Sequence, residues 1–357
     1  MTEKKRTELF EAMAEMGHEQ VVFCQDASSG YRGIIAIHST ALGPAVGGTR
    51  FWNYASEEEA LVDALRLSRG MTYKCAVAGL PWGGGKSIIL DDGRLKDREK
   101  LFRAHGRFIE KLGGQYVTAE DVGTSPADME LIALETSHVG GLIGKGGDPS
   151  PWTALGVFRS MQASAQYRWG SDELRGKRVA IQGCGNVGLN LAKLLREAGA
   201  QLIVSDLDEK KVRRAVEELG AEESSGGQIF SEDADIFSPC ALGGIINDGT
   251  IPVLNATIVC GAANNQLLEP RHGDALEDRD ILYAPDYVAN SGGVLSGGAE
   301  LFGWTSEKVR IEVLAIYDTL LSVYALAKAD GIPTYKAADS LAERRLREAA
   351  PRSTVAR

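Results

Sequence analysis

Two lysines stand twelve positions apart in the stretch GMTYKCAVAGLPWGGGKS (70–87): Lys74, and Lys86 at the end of a triple glycine. Three glycines strip the side chains from one patch of backbone, so a small molecule can lie close against it. Lysine loses its proton readily when desolvated or set near another cation, so two lysines at one site suggest that one is tuned for proton chemistry. The competing reading is a flexible glycine loop ending in a surface lysine. The stretch is not a P-loop, because the earlier glycine of G-x-x-x-x-G-K-[ST] is missing. LGPAVGGTR (42–50) bares the backbone a second time, at Gly47 and Gly48. Asp121 follows an expected strand over 116–119 and precedes a Gly-Thr-Ser turn. A carboxylate there either caps a turn or takes part in proton transfer.

A second constellation is GCGNVG. Gly183, Gly185 and Gly188 follow the expected strand RVAIQ (178–182), open an expected helix from Asn186, and precede Asp206 by 23 positions from Gly183 (206 − 183). That context is what a dinucleotide fingerprint requires. Gly183 permits the tight turn, Gly185 lets the backbone approach a pyrophosphate at the helix N-terminus, and Gly188 lets helix and strand pack closely. Asp206 is placed to accept the adenine ribose hydroxyls and to repel a 2′-phosphate, which favours NAD over NADP; Lys210 and Lys211 nearby pull the other way.

The elements that must carry these residues are legible. Short strands are expected over 21–24 and 33–38. Ser56 and Glu59 form a capping box, opening a helix that runs towards Gly70. Asp97 opens another helix, with Leu101, Phe108 and Leu112 on one face, and Ser125, Pro126 and Asp128 mark a further start. His105 and His138 have no partner spacing and read as structural. The Gly- and Pro-dense run 140–151 reads as an interdomain hinge. From Trp152 onward strands and helices alternate, with later short strands over 236–238, 257–260 and 281–284, which implies a parallel sheet covered by helices on both faces. Residues 224–227 read as a surface loop. The expected architecture is α/β in two domains with a cleft between them: an N-terminal α/β substrate domain over 1–150 and a doubly wound Rossmann domain over 151–333. A polar helix within 334–357 would pack back on the first domain.

Composition narrows the field. The 357 residues are 44% apolar and 25% charged, with a net charge of −10. No basic stripe overrides that charge, which argues against nucleic-acid binding. No apolar run approaches the ~20 residues needed to span a bilayer. The opening MTEKKRTELFEAM has neither the apolar core nor the cleavage site of a signal peptide. Five cysteines, odd in number, far apart and without C-x-x-C, fit reduced thiols in a cytoplasmic protein and no metal site.

The motifs LGPAVGGTR, VDALRLSRGMTYK, GGGKS, TAEDVGT, PSPWTALGV, GCGNVG, FSPCALGGIIND, NNQLLEPRHGD and YAPDYVANSGG together resemble the amino acid dehydrogenases of the glutamate, leucine, phenylalanine and valine group. Among these they are most similar to leucine dehydrogenase and its branched-chain relatives. The resemblance spans about 23–338. It implies that Lys74 binds the substrate α-carboxylate together with Asn290, that Lys86 is the catalytic lysine, and that Asp121 handles the substrate nitrogen and its proton. It sets Gly47 and Gly48 beside the substrate, Val46 and Ala119 in the side-chain pocket with Val309 or Val313, and Thr153 and Asn265 near the nicotinamide. Asn186 and Val187 complete the cofactor loop. The implied activity is NAD-dependent oxidative deamination of leucine, valine and isoleucine to 2-oxo acids and ammonia, in a homo-oligomer whose domains close to exclude water. PWGGGKS, CGAANN and the Gly303-Trp304 pair look more like the phenylalanine dehydrogenases, so an aromatic substrate is the second reading. An idle NAD-binding protein is the third, and it would have no need of Lys74, Lys86 and Asp121 together.

Overall fold

Side chains on a strand alternate between faces, and the strand IIAI (34–37) is buried throughout because both faces are covered. Ile34 and Ala36 pack with Ala60, Leu61, Ala64 and Leu65 of one helix, while Ile35 and Ile37 pack with Leu101, Phe102, Ile109, Met129 and Ile132 on the other side. The computed structural model describes residues 8–349 except Arg94, Lys96 and Gly146. The opening residues 1–7, part of the segment read as lacking a signal peptide, and the tail 350–357 lie outside the described residues.

The chain divides into two compact units, 1–147 with 342–357, and 148–341. The first holds α1 (Leu9–Met16), β1 (Gln20–Asp26), β2 (Tyr31–Ser39), β3 (Ala45–Trp52), α2 (Glu57–Val77), β4 (Gly83–Leu90), α3 (Arg98–Glu110), β5 (Tyr116–Glu120) and α4 (Pro126–Ala133). Its sheet runs β1-β2-β4-β3-β5, with β1, β2 and β4 antiparallel to their neighbours in turn and β3 parallel to β4 and β5. Helix starts follow their caps. Ser56 Oγ accepts the Glu59 N–H at 3.1 Å, Asp97 accepts that of Lys100 at 3.0 Å, and Ser125 with Asp128 completes a capping box.

Two local expectations are corrected. Helix α2 does not stop near Gly70 but continues through Lys74 to Val77, so Lys74 lies in its last turn. The triple glycine is no loop: Gly83, Gly84 and Gly85 open the buried strand β4. Their lack of side chains serves packing. A Cβ on Gly83 would sit 1.8 Å from the Ser39 carbonyl oxygen, one on Gly84 2.0 Å from Thr72 N, and one on Gly85 2.6 Å from the Tyr116 ring. Helix α2 and its neighbours come close enough to β4 that no side chain fits between them.

The second unit contains α5 (Ser150–Trp169), β6 (Arg178–Gln182), α6 (Asn186–Glu197), β7 (Gln201–Ser205), α7 (Glu209–Leu219), β8 (Glu222–Glu223), β9 (Ile236–Pro239), β10 (Ile258–Val259) and β11 (Leu282–Tyr283). All pairings are parallel, in the order β11-β10-β9-β6-β7-β8. This is the doubly wound order, and its switch point lies beside the end of β6. Val179, Ala180 and Ile181 of β6 are all buried, as a strand covered on both faces demands. The stretch expected as a surface loop over 224–227 instead leads into a 3₁₀ turn, Gly226–Phe230.

The C-terminal helix, Thr334–Ala349, starts in one unit and ends in the other. It is amphipathic rather than polar throughout, with Ala337, Ala338, Leu341 and Ala342 buried. In the first unit Glu343 accepts the Tyr73 hydroxyl at 3.0 Å, and Arg345 donates to the Ala76 carbonyl at 2.8 Å and to that of Val77. Among the described residues no helix is long and apolar enough to cross a membrane.

Candidate active site

In the first unit β4, β3 and β5 lie side by side, and strand alternation sorts their polar residues to two faces. Lys86 pairs with Ala36, which packs towards α2; Ser87 pairs with Ile35, which packs towards α3. Arg50 shares the α2 face, whereas Thr49 points to His105 on α3. Each adjacent pair thus sends one residue to a charged cluster and one to a buried neutral network.

The charged cluster is built on Asp121. Lys86 Nζ donates to Asp121 Oδ2, and Arg50 Nε lies 3.5 Å from the same oxygen. Arg50 in turn donates through Nη1 to Asp63 Oδ2 at 2.7 Å, and that oxygen also accepts the Tyr54 hydroxyl at 2.7 Å. Arg66 holds Asp63 Oδ1 at 2.9 Å. The turn after β5 orients Asp121: its N–H donates to Thr124 Oγ1 at 2.8 Å, and that hydroxyl lies 3.0 Å from the Thr49 carbonyl oxygen. Lys86 is 6% exposed. Burial pushes its ammonium below the ordinary lysine range, against the pull of Asp121. Burial works against ionisation of Asp121 too, but there the adjoining Lys86 and then Arg50 prevail, so its carboxyl is held below the usual range. A lysine made willing to release its proton beside a carboxylate kept charged is a pair suited to moving protons.

Gly48 abuts this cluster, since a Cβ there would lie 2.6 Å from the Glu120 carbonyl oxygen and 2.8 Å from Asp121 Cβ. Gly47 is bare because a Cβ would sit 1.7 Å from the Gly85 carbonyl oxygen. Val46 is buried on β3, and Ala119 of β5 is paired with Gly48. Lys74 is half-buried, in the last turn of α2 where a cation meets the negative end of the helix dipole.

The neutral network on the other face fastens the three strands together. Thr49 Oγ1 lies 2.7 Å from Ser87 Oγ, 2.9 Å from His105 Nε2, and within hydrogen-bond reach of Thr118. Tyr31 OH meets His105 Nδ1 at 2.8 Å, and Tyr116 donates to the Gly47 carbonyl at 2.6 Å. His105, expected to be structural, is the hub of this network and is fully buried.

In the second unit the glycine turn fits a nucleotide. Gly183 adopts φ +106°, a left-handed value, and a Cβ on Gly188 would lie 2.0 Å from the Gly183 carbonyl oxygen. A Cβ on Gly185 would meet nothing within 4 Å. Helix α6 begins there without a side-chain cap, leaving the first backbone N–H groups, around Asn186 and Val187, without a side-chain acceptor at the cap. The Cys184 N–H donates to Asp206 Oδ2 at 2.7 Å. An uncapped helix end, bare backbone and an acidic residue at the end of β7 fit a dinucleotide.

The remaining expected residues lie elsewhere in this unit. Thr153 sits in the first turns of α5, with its hydroxyl donating to the Pro149 carbonyl at 3.1 Å. Asn265 adopts φ +50°, and its carbonyl accepts the Gly244 N–H at 2.7 Å. Asn290 is 3% exposed, and its Nδ2 donates to the Ala262 carbonyl at 3.1 Å and to Asn264 Oδ1 at 2.9 Å, so here its amide secures the 262–264 loop. Val309 and Val313 are both buried.

Comparison with known proteins decides the family. The model described as Glu/Leu/Phe/Val dehydrogenase, dimerisation domain, matches residues 18–138, and that of the Glutamate/Leucine/Phenylalanine/Valine dehydrogenases matches 148–209 and 204–353. The chain belongs to this family of amino acid dehydrogenases. The dehydrogenase is 55% identical to leucine dehydrogenase of Geobacillus stearothermophilus over 95% of this chain and 93% of that protein. It is 50% identical to valine dehydrogenase of Streptomyces virginiae over 93% and 95%. It also resembles the crystal structure of L-tryptophan dehydrogenase from Nostoc punctiforme, with a TM-score of 0.88, 47% identity, and coverage of 95% of this chain and 99% of that one. Membership implies a nicotinamide cofactor for the dehydrogenase, in agreement with the fit at GCGNVG.

The motifs drew attention to Lys86 and Asp121 but not to Arg50, Asp63 or Tyr54. The available signal was strand alternation, which sets Arg50 on the same face as Gly48 two residues earlier.

Proposed function

We propose that the protein catalyses the reversible, NAD-dependent oxidative deamination of branched-chain L-amino acids, leucine with valine and isoleucine, to 2-oxo acids and ammonia. The observation that carries this reading is the buried Lys86–Asp121 pair in a member of the amino acid dehydrogenase family. When bound, the nicotinamide supplies acceptance of the α-hydrogen as hydride. The chain's own residues do the rest. Gly185 and the open end of α6 receive the pyrophosphate, and Asp206 takes the ribose hydroxyls and disfavours a 2′-phosphate. Lys74 binds the substrate carboxylate. Lys86, eased towards its neutral form by burial, takes a proton from the water that attacks the imino carbon, and as an ammonium it steadies the developing oxyanion. Asp121 receives and returns the proton on nitrogen.

Val46 and Ala119 are apolar, so the pocket offers no cation for an acidic side chain. A hydrophobic pocket separates one methylene by only ~1–3 kcal/mol, which is why several branched-chain substrates are expected to react. The 50% identity to an L-tryptophan dehydrogenase supports an aromatic substrate as the second reading. Self-association accompanies either one, since the model matching 18–138 is described as a dimerisation domain.

The test is NADH formation at alkaline pH with leucine, valine, phenylalanine, tryptophan and glutamate in turn, repeated with Lys86→Ala. Fast turnover of leucine and valine, lost at least ~10²-fold in the variant, is expected. Preference for phenylalanine or tryptophan would keep the reaction and replace the substrate. No turnover of any of them, with NAD still bound, would overturn the reading.

A further inference from the structure

Asp121 Oδ2 faces two cations, and the mechanism above uses only one of them. The second, Arg50, reaches that oxygen from β3 at 3.5 Å. It is not a loose surface pairing, because the side chains of Arg50 and Asp121 are each 22% exposed and that of Asp63 13%. Asp63 Oδ2 fixes the far side of the guanidinium at 2.7 Å, and Tyr54 and Arg66 fix Asp63 in turn. The arrangement is a chain from α2, through β3, to the turn after β5, and it ends on the carboxylate that Lys86 also holds.

We propose that Arg50 is a positioning residue for the Lys86–Asp121 pair, its guanidinium anchored by Asp63 so that it keeps the Asp121 carboxylate charged and turned towards Lys86. This rests on the assignment of Lys86 and Asp121 as the acting pair. The electrostatics have one sign at both groups. A cation beside Asp121 favours its ionised form, and the same cation disfavours the ammonium of Lys86. Asp63 acts oppositely on Lys86. The charged and titratable groups joined to the cluster include Asp63 and Arg66 from α2, Tyr54 from the loop after β3, Lys86 from β4 and Asp121 beyond β5. Glu120, registered with Thr49 on the other face, acts on the cluster only through its charge near Asp121. Among them Arg50 joins the anchored carboxylate to the acting one.

The experiment compares the pH profile of kcat/KM for the best amino acid in wild type, Arg50→Gln, Arg50→Lys and Asp63→Asn, with Tm and NAD affinity as controls. Arg50→Gln is expected to move the profile to higher pH by about one unit or more, because removing the cation raises both groups. Arg50→Lys keeps the charge and should restore most of the position of the profile. Asp63→Asn leaves the guanidinium uncompensated and should move the profile the other way, to lower pH; it also carries the test if Arg50→Gln does not fold. A role confined to stability would lower Tm and rate without displacements of opposite sign. Superimposable profiles, or equal shifts in Arg50→Gln and Arg50→Lys, would overturn the proposal. Wild-type enzyme inactive on every amino acid would instead sink the underlying reaction, so the two failures are told apart.

Discussion

The backbone N–H of Cys184 donates to the Asp206 carboxylate at 2.7 Å, tying the glycine turn after β6 to the end of β7. The other oxygen takes the Asp208 N–H at 2.9 Å. Asp206 therefore shapes the loop besides the ribose contact proposed for it. Asp206→Ser should weaken NAD binding at least tenfold and narrow the preference for NAD over NADP, at a stability cost of about 1–2 kcal/mol for the lost hydrogen bonds. Titrating both cofactors against the variant checks this. An unchanged ratio of affinities would remove Asp206 from cofactor choice.

Two glycine-to-alanine changes separate packing from binding. At Gly47 the new Cβ would lie 1.7 Å from a backbone oxygen, and a buried strand cannot step aside, so the variant should lose more than about 3 kcal/mol or fail to fold. At Gly185 the backbone has φ −73° and the new Cβ meets nothing, so Tm should stay within a few degrees while NAD affinity falls, because the methyl would stand where the proposed site takes the pyrophosphate. Thermal melts and NAD titration of both proteins decide the matter. Normal NAD affinity in Gly185→Ala would count against the cofactor site.

Acid should destabilise the first unit through its buried histidines. Burial pushes His105 down to about 3 and His18 to about 4, from an ordinary 6.5. The folded pKa lies below the unfolded one, so between those values the unfolded chain binds more protons. The stability is fully present above pH ~6.5 and is lost as the pH falls towards the folded values, by up to about 1.4 kcal/mol per pH unit for each histidine. Denaturant melts at pH 7 and pH 5 should show the loss. His105→Gln should be less stable at pH 7 but flatter with pH; the same slope as wild type would contradict the account.

Arg345 caps the end of α2 by donating to the Ala76 and Val77 carbonyls, one turn from Lys74. Arg345→Ala should strand those acceptors, at about 1–3 kcal/mol, and let the last turn fray. The expected kinetic signature is a raised KM for the amino acid with KM for NAD little changed. Equal effects on both would show that the cap does not act through Lys74.

Signals that span a few residues were readable without any structure. The caps at Ser56, Asp97 and Ser125, the doubly wound alternation after 150, and the glycine spacing before Asp206 each depend on neighbours within one turn or one βα unit. The triple glycine misled for a related reason. A run of glycines looks alike whether it faces a ligand or a tightly packed helix, and only the approach of Thr72 to Gly84 distinguishes the two.

By itself the sequence indicated the capped helices, the parallel alternation after 150, the glycine turn before Asp206, and Lys74, Lys86 and Asp121 as residues of interest, but not the strands β3 and β4 that carry Arg50 and Lys86. It did not determine which charges meet. Lys86 and Asp121 are 35 positions apart, and Arg50 reaches Asp121 beside Lys86 only because β3 inserts between β4 and β5 in the sheet. Strand order is set by non-local pairing and by what each face can bury, so the cluster of Lys86, Asp121, Arg50 and Asp63 was decided by the tertiary structure alone.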